Sequence, residues 1–416
     1  NTAAAAATIH TPCGHCGCLS CGIDVTSTAT TKMLYNPSLL TKFRWSLPWL
    51  MRYPFARSRA FLEQTAFEKK HIIFTIANHF EPSWSPNGFL DQKSQLKRLK
   101  AYREEFRSTA DSVIDSDGVK FCHTNFFPGE QYHPDLLDVM AEMQAEGLGE
   151  VEVHLHHEGD EPDTEENVRR TLLDFRDTLA ERHKCLSRMD GVGDPMYAFV
   201  HGNLALANSC GGRFCGVDNE MEILRDTGCY VDMTLPSAPE ESQVPMLNQI
   251  YECGLPMSEA VPHREGIRVS ANGKEPSLPL IFTGPLVLNW TRRIGGLPVP
   301  RIDDGSLTAN QTLDRARFRR WRSANVTVAG RTDWVFLKLY CHGFFDYDQS
   351  ACMGEDAKRF FNGLIEESEK TGDLKIHFAT AREAFNMTLA AIDGRAGEPS
   401  IYRDYRMQSI MKNGSK

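Results

Sequence analysis

The sequence predicts an α/β protein whose main body is a (β/α) barrel of seven or eight parallel strands, preceded by an irregular N-terminal extension. Three observations support this fold class. About eight short apolar runs recur after residue 70, helix-like segments separate most of them, and histidines cluster at their ends. With 416 residues, the chain has room for one large barrel with terminal extensions.

The predicted strands and helices alternate along residues 70–393, which we interpret as the catalytic domain. Strand-like runs cover 71–77, 119–127, 150–156, 196–200, 229–235, 278–283, 334–341 and 374–380. Helix-like segments cover 90–114, 135–144, 165–189, 219–226, 313–322, 355–370 and 381–392. Asp163 and Glu166 are three residues apart, as in a capping box before the third helix. Residues 236–277 show no clear period and predict a long loop over the barrel face. Residues 394–416 form a C-terminal extension.

Two segments precede the barrel. Residues 1–31 are a tail with four thiols in nine residues, Cys13, Cys16, Cys18 and Cys21. Thiols so close together can bind zinc or an iron–sulfur cluster, but incidental cysteines in a tail are the simpler interpretation. Residues 32–69 form an arm rich in aromatics and arginines from residue 33 to 66, in which Pro48 and Pro54 predict an interrupted helix. The arm either lies on a membrane surface or, as we favour, packs on the main body or on another subunit of an oligomer.

Composition narrows the partners and the compartment. The net charge of −9 without a basic tract argues against nucleic acid as a partner. No apolar run approaches the roughly 18 residues that a membrane span needs. The other eight cysteines are scattered and several lie in apolar segments, which favours a reducing, cytoplasmic location over a disulfide framework.

The richest chemistry lies in residues 150–160. Val151, Val153 and Leu155 alternate with Glu152, His154 and His156, the period of a strand, and His157, Glu158 and Asp160 follow. Histidines or an aspartate also lie on or just after other predicted strands: His79, His123, His201, Asp232 and His342. Because the carboxyl ends of barrel strands share one face, these groups predict a site for a divalent metal, zinc or alternatively iron or manganese. The simpler alternative is a polar strand edge with solvated histidines.

Five segments, in this order, carry a resemblance to a known family. They read Thr75-Ile-Ala-Asn-His-Phe-Glu-Pro82, then Cys122-His-Thr-Asn-Phe-Phe-Pro-Gly-Glu130, then Pro134-Asp-Leu-Leu137, then His154-Leu-His-His157, and finally Lys338-Leu-Tyr-Cys-His342. Their order over residues 70–380 resembles the polysaccharide deacetylase family, carbohydrate esterase family 4 and relatives. The resemblance implies a divalent metal held by one acid and two histidines, an aspartate base, and a late histidine acid.

This chain departs from the family pattern. The family's base position falls on Asn78, which has no group that can take a proton, so Glu81 is the nearest replacement. The acidic ligand falls on His79, the two histidine ligands fall on His156 and Asp160, and the late acid falls on His342. Alternatively His154 is a ligand beside His156, because both share one strand face. The implied ligand set is therefore drawn from His79, His154, His156 and Asp160.

The mechanism that follows is metal-assisted hydrolysis, with Glu81 removing a proton from water and His342, or failing that His201, protonating the leaving group. Further candidates for substrate binding are Asn78, Trp84, His123, Tyr132 and Asp232. Each has a structural alternative: His342 can hydrogen-bond a loop, His201 can serve a turn, and aromatic residues can belong to the core.

The leading functional hypothesis is a metal-dependent hydrolase of C–N bonds that removes acetyl groups from an N-acetylated sugar or cleaves a related amide. A glycoside hydrolase is the nearest rival and would pair Glu81 with Asp160 or Asp232. A catalytically weak binding or scaffold protein is the third hypothesis, which the amide at Asn78 favours.

Overall fold

The structure is a computed structural model that describes residues 37–64, 69–157, 162–254, 256–311 and 313–413. Asp160 and the four N-terminal cysteines lie outside the described residues, so the roles assigned to them stay predictions.

Most of the sixteen strands in the described residues belong to one large sheet. In chain order they are β1 (Lys70–His79), β2 (His123–Pro128), β3 (Gly149–Leu155), β4 (Ser187–Met189), β5 (Tyr197–His201), β6 (Cys229–Asp232), β7 (Gln249–Cys253), β8 (Gly266–Arg268), β9 (Leu280–Thr283), β10 (Val287–Asn289), β11 (Arg293–Ile294), β12 (Leu297–Pro298), β13 (Arg301–Asp303), β14 (Trp334–Cys341), β15 (Leu374–Phe378) and β16 (Met407–Ser409). Each of the eight predicted strand runs overlaps one of the eight parallel strands, β1, β2, β3, β5, β6, β9, β14 and β15. The α/β class with a mostly parallel sheet is confirmed.

The predicted closed barrel is not formed. The sheet runs from β14 through β1, β2, β3, β5, β6 and β9 to β7 and β8, with β15 also paired to β1. β7 pairs antiparallel with β9 and so occupies the edge at which β9 would have met β14. Residues 236–277, predicted as loop, supply β7 and its other antiparallel partner, β8. In the described residues no strand pairing joins β14 to the far end of the sheet, although Lys338 Nζ of β14 donates to the carbonyl of Met233 at 2.9 Å.

Helices cover the sheet on the outside. They are α1 (Leu39–Leu62), α2 (Gln92–Ser112), α3 (Pro134–Ala145), α4 (Glu165–Asp177), α5 (Glu220–Asp226), α6 (Arg315–Arg322), α7 (Gln349–Cys352), α8 (Glu355–Thr371), α9 (Ala381–Ile392) and α10 (Ile410–Asn413). A π-helical turn, Thr178–Arg182, extends α4. The buried residues between sheet and helices form the main hydrophobic core. The predicted cap of α4 was one residue too early, because Thr164 accepts the hydrogen bond from the backbone N–H of Asn167.

Helix α1 contradicts the expected interruption by proline. Pro48 and Pro54 both lie inside one 24-residue helix. The helix packs on the main body through Trp49 and Ala56, which contact a small apolar cluster with Leu247 and Leu286. These contacts, formed on one face along the helix, offset the backbone hydrogen bonds that proline cannot donate. Among the described helices, none combines the length and apolar character needed to cross a membrane.

Candidate functional site

The carboxyl ends of four parallel strands bring the predicted histidines together. His79 ends β1, His154 lies near the end of β3, His201 ends β5, and His342 follows β14. Register fixes their common height, since Asn78 pairs with Cys341 and Leu155 pairs with His201. A parallel sheet places all its strand ends at one edge, which is where α/β proteins build their sites.

Five side chains at this edge form one group, which we call the open cluster: His79, Glu81, His154, His156 and His342. Glu81 is at its centre, with Oε1 at 3.3 Å from His154 Nε2 and 3.0 Å from His156 Nε2. Ligand-type atoms of His79, Glu81 and His154 all lie within 4.8 Å of one another. The ring of His342 is centred 4.6 Å from that of His79.

Hydrogen bonds on the far side of two imidazoles aim their Nε2 atoms at Glu81. His154 Nδ1 lies 2.7 Å from the carbonyl oxygen of Val200, which can only accept, so Nδ1 carries the proton. His156 Nδ1 donates to Glu130 Oε1 at 2.7 Å. This is the arrangement by which proteins orient metal-binding histidines, with the ring nitrogen remote from the metal donating to a carbonyl or a carboxylate.

The charges of the open cluster are strongly coupled. Burial of the His156 ring lowers its pKa, but Glu130 and Glu81 outweigh burial and raise the pKa to about 10. Burial raises the pKa of Glu81, yet its contacts with the His154 and His156 rings and the charge of His156 hold that pKa well below the ordinary value. Burial, together with His342 and His154, places the pKa of His79 well below its usual range. Glu81 is therefore an anion surrounded by imidazoles.

A glycine after β5 makes room for His156. A Cβ atom added at Gly202 would lie 2.3 Å from Cδ2 and 2.7 Å from Nε2 of the His156 ring. No side chain fits at that distance, so any larger residue must displace the imidazole.

A cavity of about 650 Å³ opens onto the open cluster, and His79 and His342 lie in its wall. Trp45 of α1, Phe214 and Tyr340 contribute aromatic side chains to the lining. Polar groups of the lining include carboxylates and the buried Lys338, whose pKa is lowered to about 8 by burial. The cavity combines aromatic faces with hydrogen-bonding groups, as small-molecule sites do.

Asn78 is a structural residue. Its side chain is fully buried, donates to Tyr102 Oη at 3.1 Å and to Asn125 Oδ1 at 3.2 Å, and accepts from the backbone N–H of Gly343 at 2.9 Å. Each end of the amide is used. These hydrogen bonds fix the loop that carries His342, and the predicted contact of Asn78 with substrate stays a prediction.

His123 and Tyr132, for which the sequence predicts contacts with substrate, both lie away from the open cluster. His123 begins β2, three residues before the neighbour of His79 in the sheet, and its Nε2 lies 3.1 Å from the Cys352 carbonyl oxygen among phenylalanine rings. Tyr132 contacts His183 and Phe175 on the outside of the sheet. A position near a strand does not define the side of the sheet to which a side chain points.

Trp84 and Asp232 reach the residues of the cavity wall only through their neighbours. Trp84 packs on Phe345, which in turn stacks on His342. Asp232 is fully buried and accepts from the hydroxyl of Thr234 at 2.8 Å, and burial raises the pKa of Asp232 to about 7. Thr234 itself lines the cavity.

His201, predicted as a possible acid, belongs to a second group. Its ring stacks on His157 at 5.1 Å, and its Nε2 lies 3.6 Å from Glu220 Oε1. Sequence reasoning missed Glu220, Cys215 and Glu130. Glu130 directly follows the Phe-Phe-Pro-Gly run at the end of β2, a strand exit like the others, so its signal was present. Cys215 and Glu220 lie in and after a loop without periodicity, where no pattern marks them.

Comparisons with known proteins provide little information about the family or function of this chain. No family model matches the chain, and no curated protein matches it. Among solved structures, a GH57 branching enzyme from the hyperthermophilic archaeon Thermococcus kodakaraensis, in complex with glucose, matches with 12% sequence identity and a TM-score of 0.27. The match covers 79% of this chain and 66% of that chain. At this TM-score the likeness supports no inference about fold or activity.

The expected membership of the polysaccharide deacetylase family is wrong. No family model and no curated protein supports it. The position-by-position correspondence fails as well at its base position, since Asn78 is an interior hydrogen-bonding residue. Function therefore has to be argued from the side chains of the open cluster.

Proposed function

We propose that the chain is a hydrolase whose active centre is the open cluster with a divalent cation bound to it. The observation that carries the proposal is the 3.3 Å contact between His154 Nε2 and Glu81 Oε1. Since His154 donates through Nδ1 to Val200, its Nε2 presents a lone pair to a carboxylate oxygen, which also has only lone pairs to offer. A positive charge between the two atoms turns this repulsion into attraction.

The residues present fit a cation of the zinc, iron or manganese type. His154, His156 and Glu81 supply two imidazole nitrogens and a carboxylate that already converge. His79 supplies a third imidazole, and its Nδ1 is buried without a hydrogen-bond partner. Mixed imidazole and carboxylate donors suit these metals, and the hydrogen bonds to Val200 and Glu130 hold the donors in place.

Glu81 and His342 have different roles in the proposed hydrolysis. A bound divalent cation lowers the pKa of a water molecule from about 15.7 to about 7 and polarises a carbonyl group. Glu81 meets both imidazoles through Oε1, which leaves Oε2 as the carboxylate atom that can accept the proton of the attacking water. His342 borders the cavity beside His79 and is placed to protonate the leaving group. Phe345, stacked on the His342 ring, restricts the orientation of that ring.

The cavity favours a carbohydrate as substrate. Trp45, Phe214 and Tyr340 offer flat apolar faces, on which the C–H face of a sugar ring can pack. Glu240, Glu241 and Asp304 offer carboxylate oxygens that can accept hydrogen bonds from hydroxyl groups. We therefore propose that the bond cleaved is an amide carried by a sugar.

Hydrolysis of a glycosidic bond in the same cavity is the second candidate, and Asp232 favours it. Such enzymes pair an ionised carboxylate with a carboxylic acid whose pKa is raised. Glu81 has the lowered pKa and buried Asp232 has a pKa raised to about 7. Asp232 would act through movement of Thr234, which lies between its carboxylate and the cavity.

Metal analysis followed by two product assays tests the proposal. The full-length protein is freed of metal, reconstituted with zinc, iron(II) or manganese, and its bound metal is counted beside that of His154→Gln. We expect the variant to lose one equivalent and its activity. Release of a carboxylic acid from an N-acylated sugar identifies amide hydrolysis, and new reducing ends on an oligosaccharide identify glycoside hydrolysis.

His133→Gln serves as the matched control, because His133 is a ring at the start of α3 that bonds to Gln92 outside the cluster. It should retain metal and activity. Equal metal content in His154→Gln and the parent protein would contradict a metal at the open cluster. New reducing ends that persist after metal removal would instead assign the cavity to glycoside hydrolysis.

A further inference from the structure

A second group of metal-binding side chains lies below the loop that follows β5. We call it the closed cluster: His157, His201, Cys215 and Glu220. All four residues are buried, and one donor atom from each lies within 4.8 Å of the other three. They come from the exit of β3, the end of β5, the loop 202–219 and the first residue of α5. Two imidazoles, a thiol and a carboxylate are thereby enclosed together without solvent.

The spacing within the closed cluster is that of a coordination sphere. Glu220 Oε1 lies 3.8 Å from His157 Nε2 and 3.6 Å from His201 Nε2. Both distances exceed the 2.7–3.2 Å of an ordinary hydrogen bond with nitrogen. Zinc binds nitrogen, oxygen and sulfur at about 2.0–2.3 Å, so two ligands of a tetrahedral zinc ion are separated by about 3.3–3.8 Å.

Polar atoms inside the closed cluster have no partner. His157 Nε2, His201 Nε2 and Glu220 Oε1 are each buried and make no hydrogen bond. In the described part of the chain, no lysine or arginine forms an ion pair with Glu220, whose side chain is fully buried. Buried polar atoms are nearly always satisfied in native proteins, and three unsatisfied ones aimed at a common point indicate a missing ligand.

In His157 and Glu220, the other atoms of the side chain are engaged in ways that leave Nε2 and Oε1 available. His157 Nδ1 donates to Asp163 Oδ2 at 2.9 Å, which leaves the Nε2 lone pair for a metal. Asp163 is itself fixed by the side chain of Asn167. Glu220 Oε2 accepts from the backbone N–H of Ala207 at 2.6 Å, which leaves Oε1. A carboxylate behind a histidine is the common support of a zinc ligand.

His201 is the one donor that must change its proton. Its Nδ1 lies 3.2 Å from the backbone nitrogen of Asn203 and 3.3 Å from that of Ala205, and both backbone groups donate to it. Coordination through Nε2 would move the ring proton to Nδ1 and break these two long hydrogen bonds. One metal–nitrogen bond would replace these two long hydrogen bonds. His157 needs no such change, because its Nδ1 keeps the proton that it donates to Asp163, whereas Cys215 gives up its thiol proton.

We propose that the closed cluster is a structural zinc site with His157, His201, Cys215 and Glu220 as its four ligands. Four protein ligands leave no position for substrate, as in structural zinc sites. Binding releases the thiol proton of Cys215, so that one thiolate and one carboxylate balance the double charge of the ion. The site ties the loop 202–219 to the sheet, and this loop supplies Gly202, Asn203 and Phe214 to the cavity wall. The inference is independent of the function proposed for the open cluster.

Cobalt substitution tests the site, because a thiolate bound to cobalt(II) gives a charge-transfer absorption band that imidazole and carboxylate do not. The background is the full-length chain with Cys13, Cys16, Cys18 and Cys21 replaced by serine, which removes any signal from the N-terminal thiols. The protein is stripped of metal under reducing conditions and titrated with cobalt(II). We expect one equivalent of cobalt with the thiolate band, and Cys215→Ser should lose both.

Three further variants make the result specific. Cys210→Ser, a buried cysteine of the same loop that is not in the cluster, should keep the band. Glu81→Gln should keep the band as well, since it alters only the open cluster. Glu220→Gln should keep the thiolate absorption band, but its affinity for cobalt should fall at least about tenfold.

Two results would overturn the proposal: a background protein without a thiolate band, or a Cys215→Ser variant that retains it. Far-ultraviolet circular dichroism shows whether each variant folds. If Cys215→Ser does not fold, unchanged cobalt affinity in both Glu220→Gln and His157→Gln would overturn the proposal equally.

Discussion

His156 and His157 are neighbours in the chain, yet they enter two different environments. His156 joins the open cluster, where Glu81 and Glu130 satisfy both of its ring nitrogens and the cavity lies alongside. His157 joins the closed cluster, where it is 4% exposed and its Nε2 has no partner. The open cluster has contact with solvent and room for a substrate, whereas the closed cluster is sealed. The same type of side chain therefore suits a site that exchanges substrate in the open cluster and permanent metal binding in the closed cluster.

Glu81→Gln tests the catalytic side of this comparison most severely. We expect kcat/KM to fall by about 10³-fold, because the variant lacks both the charge that binds the cation and the oxygen that accepts the water proton. The free energy of unfolding of the metal-free protein should change by less than about 1 kcal/mol, since the amide can donate to His154 Nε2. Steady-state kinetics and denaturant unfolding measure the two effects. Retained activity would show that the open cluster is not catalytic.

Zinc added to a variant without a functional open cluster tests the structural side. In Glu81→Gln combined with His154→Gln, zinc at about 1,000 times its dissociation constant should stabilise the fold by about 4 kcal/mol through the closed cluster. Adding Cys215→Ser should abolish this stabilisation. Thermal unfolding with and without zinc measures it, and an unchanged Tm in the double variant would remove the distinction between the two clusters.

Glu130→Gln sharpens the role of the hydrogen bond behind His156. The amide cannot balance the charge on the ring, so we expect a loss of metal affinity and kcat/KM of about 10–100-fold. Asp163→Asn is the equivalent change behind His157 and should lower zinc affinity at the closed cluster without altering kcat at saturating zinc. Steady-state kinetics and metal titration of both variants measure these effects. Equal effects of the two variants on kcat would contradict the assignment of a catalytic role to the open cluster alone.

His123 supplies a reference histidine that lies outside both clusters. Burial lowers its pKa from 6.5 to about 3, so the unfolded chain takes up a proton between these pH values before the folded protein does. Stability from this group is therefore present above pH 6.5 and is lost as the pH falls, by about 1.4 kcal/mol at pH 5.5. His123→Leu should reduce the difference in unfolding free energy between pH 7.5 and pH 5.5 by that amount. An unchanged difference would contradict a neutral histidine at this position.

Local patterns were sufficient for most of the sheet. The apolar runs identified all eight parallel strands, since a short apolar or alternating run bounded by polar segments can be read without tertiary information. The same reasoning placed His79, His154, His156 and His342 at one edge. Local patterns failed for α1, where packing on the main body outweighs the loss of hydrogen bonds at two prolines. They also failed for barrel closure, because β7, which lies in a segment without a clear period, pairs with β9.

The sequence established which residues have the chemistry to bind metal and which strand ends carry them, because residue type and strand period are local properties. Tertiary contacts decided which histidines lie together in one cluster. Glu130 reaches His156 from 26 residues away, and Cys215 and Glu220 reach His157 through a loop without a repeating pattern. Beyond Leu155, the last residue of β3, the directions of side chains follow no strand period. Packing against β5 and the loop after it determines these directions. For that reason the sequence predicted His156 as a metal ligand and showed His157 only as its neighbour in a histidine-rich run, and it could not assign the two residues to separate clusters.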